Sequence, residues 1–219
     1  SSQLVLTDRA PSTHWLTPGR DIGAVVDYRW KNIRTRVGAF NGGGDLTGDT
    51  DEGKLYAGRV EMMVGDGAVY RTFGSIDGLT AGFAVDASIN TEAALTSQSM
   101  GADFIVRTAG LAILAEARLV TASPNDELDL VPEVFADITR QGFMGQVGYS
   151  VARFEPVIRY SVLDDNTEIE NAGDVAELMS GVTWHGERSA VRAGMGYALR
   201  LEQGPNTRSN DSVRAWLQL

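Results

Sequence analysis

The chain has 219 residues, no cysteine, 29 acidic against 19 basic side chains and a formal net charge of -10, which excludes a disulfide scaffold or thiolate metal site and disfavours a nucleic-acid binder. No apolar run reaches the roughly 20 residues that a membrane-spanning helix requires, so a helical membrane protein is excluded as well. The mean hydropathy of -0.13 leaves one membrane class open, because a transmembrane barrel conceals its apolar half by alternation.

Ser1 opens the chain with neither an initiator methionine nor a basic and then apolar leader, which predicts a secretion signal removed or encoded outside this stretch. Residues 3–9 read as the tail of a strand. Alternation of apolar and polar residues, bounded by Gly, Asp, Asn and Pro clusters, then predicts strands over 21–30, 32–41, 54–64, 78–90, 99–108, 111–121, 133–151, 153–164, 176–185, 189–202 and 211–219. The connections between them run tight turn (30–32), long acidic loop (41–53), medium loop (65–77) and polar loop (91–98). Tight turn (109–110), long loop (121–131), tight turn (152–153), long acidic loop (164–174), tight turn (186–188) and long loop (203–210) follow. Short and long connections alternate with one longer exception, as in up-and-down outer-membrane barrels with short periplasmic turns and longer external loops. A soluble Greek-key sandwich has no reason to keep that asymmetry.

The two faces differ in chemistry. In the fourth predicted strand Leu79, Ala81, Phe83, Val85, Ala87 and Ile89 make one face, and Thr80, Gly82, Ala84, Asp86, Ser88 and Asn90 the other. The lipid face continues with Val26 and Tyr28, Val60 and Met62, Phe104, Phe143, Ile158 and Tyr160, Met195 and Tyr197. Tyr28, Trp30, Tyr149, Phe154 and Trp184 lie beside the tight turns, where an interfacial aromatic girdle belongs. Taken singly, each of these rings reads as ordinary core packing.

The opposite face is charged, chiefly with arginine. Arg34, Arg36, Arg59, Arg107, Arg118, Arg159, Arg192 and Arg200 fall in phase there, as does Arg214, together with Asp27, Glu61, Asp86, Asp103, Glu116 and Glu155. An unpaired buried charge costs several kcal/mol, so charges of both signs suit a water-filled lumen, and these arginines are the expected pore-lining residues. The bland alternative is the solvated face of an open soluble sheet, which periodicity alone does not separate from a lumen.

Pro18-Gly-Arg-Asp-Ile-Gly23, Arg36-Val-Gly-Ala-Phe-Asn-Gly42, Tyr56-Ala-Gly-Arg-Val-Glu61, Phe154-Glu-Pro-Val-Ile-Arg-Tyr160 with Asp164-Asp-Asn166, Gly181-Val-Thr-Trp184 and Val213-Arg-Ala-Trp-Leu-Gln-Leu219 occur in an order that resembles the C-terminal part of phosphate-selective porins (the porin O and P family). The resemblance spans nearly the whole chain as an ordered set of short strand fragments. It implies a sixteen-stranded, all-β, antiparallel up-and-down transmembrane barrel in the bacterial outer membrane, a homotrimer in contact with the lipid bilayer and lipopolysaccharide. External loops folded inward would form a constriction selective for small anions. About eleven strands are read over residues 1–219, a single barrel domain, so the expectation is that five N-terminal strands are missing; a two-chain barrel and a short self-closing barrel are the alternatives. The chain departs from the family in ending on Leu219 instead of an aromatic residue, and in having only Lys31 and Lys54 as lysines.

Its long loops are acidic, with Asp45, Asp49, Asp51, Glu52, Asp126, Glu127, Asp129, Asp164, Asp165, Glu168, Glu170 and Asp174, and would repel anions at the mouth. A general anion or mixed small-solute pore is therefore as well supported as a phosphate pore. Gly48-Asp-Thr-Asp-Glu-Gly-Lys54 has P-loop spacing, but Leu55 replaces the magnesium-binding hydroxyl and the flanks read as strands. Asp45, Asp49 and Asp51 lack the rest of a calcium-loop pattern. His14, read in a proline-flanked loop, and His185, beside a tight turn, have no nucleophile at a recognisable spacing. No enzyme activity, catalytic residue, metal or cofactor is expected. A structural barrel holding an envelope partner protein is the second reading, and a soluble β-rich binding module the third.

Overall fold

The computed structural model describes residues 10–17, 21–42, 53–65, 78–92, 95–125, 137–169, 173–186, 191–202 and 211–218. They form one short helix, α1 (Pro11–Leu16), and eleven strands: β1 (Gly23–Trp30), β2 (Ile33–Phe40), β3 (Lys54–Gly65), β4 (Leu79–Thr91), β5 (Leu95–Thr108), β6 (Leu111–Pro124), β7 (Ile138–Tyr149), β8 (Phe154–Asp164), β9 (Val175–His185), β10 (Arg192–Glu202) and β11 (Ser212–Gln218). The strands pair in chain order, β1 to β11, in one antiparallel up-and-down sheet. All eleven expected strands are present. The expected strand tail at residues 3–9, the P-loop-like segment up to Glu52 and Leu219 lie outside the described residues.

Register follows from the need to keep one side-chain set on one face, since a slip of one residue would exchange the faces. Phe83 stands opposite Met62 on β3 and Phe104 on β5, while Ala84 stands opposite Glu61 and Asp103. Val147 pairs with Ile113 and Ile158, whereas Gln146 pairs with Leu114 and Arg159. The polar phase of every strand thus falls on a common face.

Three connections are two-residue turns. Their first residues, Lys31, Ala109 and Ala152, have φ of 51, 44 and 52°, the left-handed conformation that lets a two-residue hairpin follow the strand twist. One connection differs from expectation. Residues 95–98, read as loop, belong to β5, and Thr91 pairs with Thr96 while Glu92 N donates to Leu95 O at 2.8 Å. The β4–β5 connection is therefore short, on the side of the sheet where the long ones lie. His14 is also placed differently from expectation, in α1, where its N–H donates to Ala10 O at 2.8 Å.

The helix packs on β6, β7 and β8, although it precedes β1 in the chain. Thr17, which follows it, borders one cavity of about 340 Å³ together with Val25 on β1 and Arg118 on β6, strands that would stand about 24 Å apart across five spacings of a flat sheet. The sheet is therefore curled, with α1 on its concave side. β1 and β11 are its outermost strands and run in the same direction, as the strict antiparallel alternation of eleven strands requires.

Candidate functional site

The concave face carries the charges and the convex face the apolar side chains. Phe83, Phe104, Phe143, Ile158 and Tyr160, on the convex face, are 43–50% exposed, whereas Glu155, Arg159 and Glu177 on the concave face are 1–3% exposed. This reverses the usual partition of a water-soluble protein, in which charged side chains are almost never fully buried unless paired. All eight arginines expected to line a lumen lie on the concave face, which the register demands. Tyr28, Trp30, Tyr149, Phe154 and Trp184 fall on the convex face beside the short turns, and the first four are 49–63% exposed. Lys31 Nζ stands 5.0 Å from the centroid of the Trp30 ring.

A first belt of ion pairs crosses the sheet from β1 to β6. Arg34 is held by Asp27, and Arg36 by Glu61. Arg59 is the hub: its Nε meets Glu61 Oε1 at 2.7 Å, its Nη1 meets Asp103 Oδ2 at 2.5 Å and Asp86 Oδ2 at 3.2 Å, and Nη2 donates to Asp103 Oδ1 at 3.0 Å. Arg118 grips Asp86 with both terminal nitrogens, at 2.8 and 3.0 Å, and gives a third bond to Ser99 Oγ at 3.0 Å. Such forked, charge-assisted contacts are the stronger kind. The Arg118 side chain lies flat because Gly101 leaves room for it: a Cβ there would stand 2.7 Å from Arg118 Nη2 and 2.9 Å from Asp86 Oδ2.

The second belt spans β8 to β10 and is buried at its centre, while Arg200 at its β10 end is 36% exposed. Arg159 Nη2 meets Glu177 Oε1 and Arg200 Nε meets Glu177 Oε2, each at 3.0 Å, with Arg159 and Glu177 side chains 3% and 1% exposed. Beside them Val157, Met179 and Ala198 form a buried apolar cluster, completed by Trp216. Nearer the short turns His185 Nε2 lies 2.9 Å from Glu155 Oε2. Arg192, paired in register with His185, is buried, as is Arg107 on β5.

Residue type and phase put the arginines on one face, but gave no pairing. Arg34, Arg36, Arg59, Arg118, Arg159 and Arg200 each hold a carboxylate. Glu177 is the carboxylate that the sequence reading left out, although its place in the polar phase of β9 signalled it. α1 was missed as well. Its Ser12 and Leu16 are buried against the wall at Gly142, and Thr13 Oγ1 donates to Glu116 Oε2 at 3.2 Å. Between Thr17 at its end and the wall lies a cavity of about 340 Å³, bordered by Arg36, Arg59, Asp86, Ser88 and Arg118. Among the described residues no cluster of three or more His, Asp or Glu side chains is placed to hold a metal ion.

Compared with known families, with curated proteins and with solved structures, the chain matches none.

Proposed function

We propose that this sheet is the wall of an outer-membrane β-barrel porin, through which small hydrophilic solutes diffuse, with anions such as phosphate as the favoured class. The observation that carries the reading is the reversed partition: bulky apolar side chains face outward and exposed, while arginines and carboxylates face inward. In water that arrangement leaves apolar area unburied on every strand, and in a bilayer it is the arrangement a spanning sheet requires. The dimensions agree. From Leu79 to Ile89 the apolar phase of β4 covers ten residue steps, about 34 Å along the strand, or about 24 Å high at a tilt near 45°, close to the roughly 25 Å apolar band of such barrels.

The route for solute follows the first belt. Arg34 and Arg36, with side chains 34% and 36% exposed, and the cavity below Thr17 offer guanidinium donors to a dehydrating anion. Because each guanidinium is already shared with a carboxylate, the expected anion preference is mild. Its homotrimeric state and its contact with lipopolysaccharide belong to the same proposal.

A second reading, a barrel that serves as a structural anchor in a larger envelope assembly, is favoured by a different observation: the charged side chains Glu155, Arg159, Glu177 and Arg192 of the concave face over β8 to β10 are each no more than 5% exposed. The zero-current potential of the detergent-purified, inserted protein under a salt gradient in a planar bilayer tests the pair. An anion-selective potential is the expected result. A folded, inserted protein that passes no current would replace the porin by the anchor.

A further inference from the structure

We propose that the cavity beside Thr17 is a binding site for a pyranose sugar, a neutral class of solute that the pore carries in addition to small anions. The route rests on the porin reading above, whereas the site can fill whether or not current flows. What sets it apart is an aromatic ring on the charged face. Phe40 falls in the phase of Arg34 and Arg36 on β2, and its register partner is Gly23 on β1. A Cβ at Gly23 would stand 2.5 Å from Phe40 Cδ1, and a Cβ at Gly38 would stand 2.6 Å from Cε2 and 2.7 Å from Cζ. Cδ1 and Cε2 are opposite corners of the ring, so the ring lies across β1 and β2, nearly parallel to the sheet, with one face on the two glycines. Any side chain at either glycine would lift it. The ring borders the cavity, as does Val25, an apolar side chain of the concave face that is 53% exposed.

The polar border of the same cavity is made by Arg36, Arg59, Arg118, Asp86 and Ser88. Its three guanidiniums are matched by three carboxylates, Arg36 by Glu61, Arg59 by Asp103 and Arg118 by Asp86, so no surplus of positive charge is left to hold an anion. What the border offers instead is both halves of a hydrogen bond. Guanidinium N–H groups donate, and carboxylate and hydroxyl oxygens accept. The Arg36, Arg59 and Asp86 side chains keep 36%, 22% and 16% of their surface open. A sugar hydroxyl donates and accepts in turn, and a pyranose presents a face of C–H groups that packs on an aromatic ring. Phosphate would use the donors alone and leave the face of Phe40 wet. The volume of about 340 Å³ lies at the small end of the range for ligand sites and suits a single sugar unit.

Glucose is the probe, and sorbitol, an open-chain polyol of similar size, is the control. In a planar bilayer, glucose added to the full-length protein is expected to reduce the chloride current saturably, and sorbitol at equal concentration to leave it unchanged. Saturation-transfer NMR on the folded protein, in a detergent without a sugar head group, reads the same binding with no current needed. Phe40→Ala is expected to weaken glucose binding about tenfold, the scale of one lost aromatic contact, while Phe40→Trp keeps it. A conducting protein that glucose neither blocks nor binds would overturn the sugar site and leave the porin reading in place. Equal binding of glucose and sorbitol, or glucose binding unchanged in Phe40→Ala, would remove the ring face from the site and overturn the proposal. Benzoate blocking at lower concentration than glucose would overturn it as well, by giving the cavity to anions with an apolar body. Glucose bound through Phe40 by a protein that passes no current would uphold the site and overturn the porin reading.

Discussion

The two belts of the concave face use the same chemistry to different ends. In the first, Arg59 gathers three carboxylates from β3, β4 and β5, and its side chain is 22% exposed. In the second, Glu177 gathers two arginines, and it is 1% exposed beside an apolar cluster. A buried pair is strongly destabilised by loss of one partner, whereas a wetter one is screened and replaceable. The number of arginines on a wall therefore says little about its field. What matters is which of them share their charge, and whether water reaches the pair.

The comparison breaks most sharply at Glu177. Glu177→Ala leaves the Arg159 guanidinium buried, and is expected to destabilise the folded state by about 3–5 kcal/mol, read as a shift in the urea midpoint of reversible insertion into vesicles. A midpoint equal to wild type would mean that water reaches the second belt as it does the first. Next in size is Phe104→Arg on the convex face, which is expected to cost about 2–4 kcal/mol if that face meets lipid, by the same measurement. A neutral outcome there would return the sheet to the class of soluble proteins.

The third effect concerns selectivity rather than stability. Arg59→Gln takes its guanidinium from Asp103 and one contact each from Glu61 and Asp86, which keep Arg36 and Arg118, so the zero-current potential is expected to move toward cations, though less far than in Arg34→Gln with Arg36→Gln, which removes two charges. An unchanged potential in Arg59→Gln would remove it as the hub. Smallest of all is Asp27→Asn, at an edge pair exposed on both sides, where the unfolding midpoint is expected to stay at the wild-type value.

The strands were legible because their period is dictated by the faces they separate. Leu79 to Ile89 cannot shift by one residue without turning Phe83 inward and Asp86 outward. The start of β5 was not legible, since Thr96, Ser97 and Gln98 carry no apolar alternation, and what extends the ladder is their pairing with Thr91, Asn90 and Ile89 across a tight connection. α1 was hidden for a related reason: six residues are too few to display a helical period, and its partner Glu116 lies 103 positions away. The ion pairs are equally remote in sequence, 25 positions for Arg36 with Glu61 and 44 for Arg59 with Asp103. Composition named the participants, and only the register brought them within reach. The acidic loop residues Asp164, Asp165 and Asp174 lie at the β8–β9 connection, where Asp174 Oδ1 accepts from Asp165 N at 3.2 Å and Asp164 Oδ2 accepts from Gln141 at 3.1 Å. Part of that charge holds the loop's own backbone and the adjoining strand.

The shared direction of β1 and β11 is a statement about parity. A ring made wholly of antiparallel neighbours contains an even number of strands, so these eleven complete one only in company with an odd number of others. Two copies of the sheet standing the same way up in one membrane would not serve, because β11 of each would meet β1 of the next in parallel, and the seam would appear twice. Assembly of this wall is thus a question of handing one direction of strand across an edge, and a chemical cross-link from β1 or β11 to its neighbour would read that direction outright.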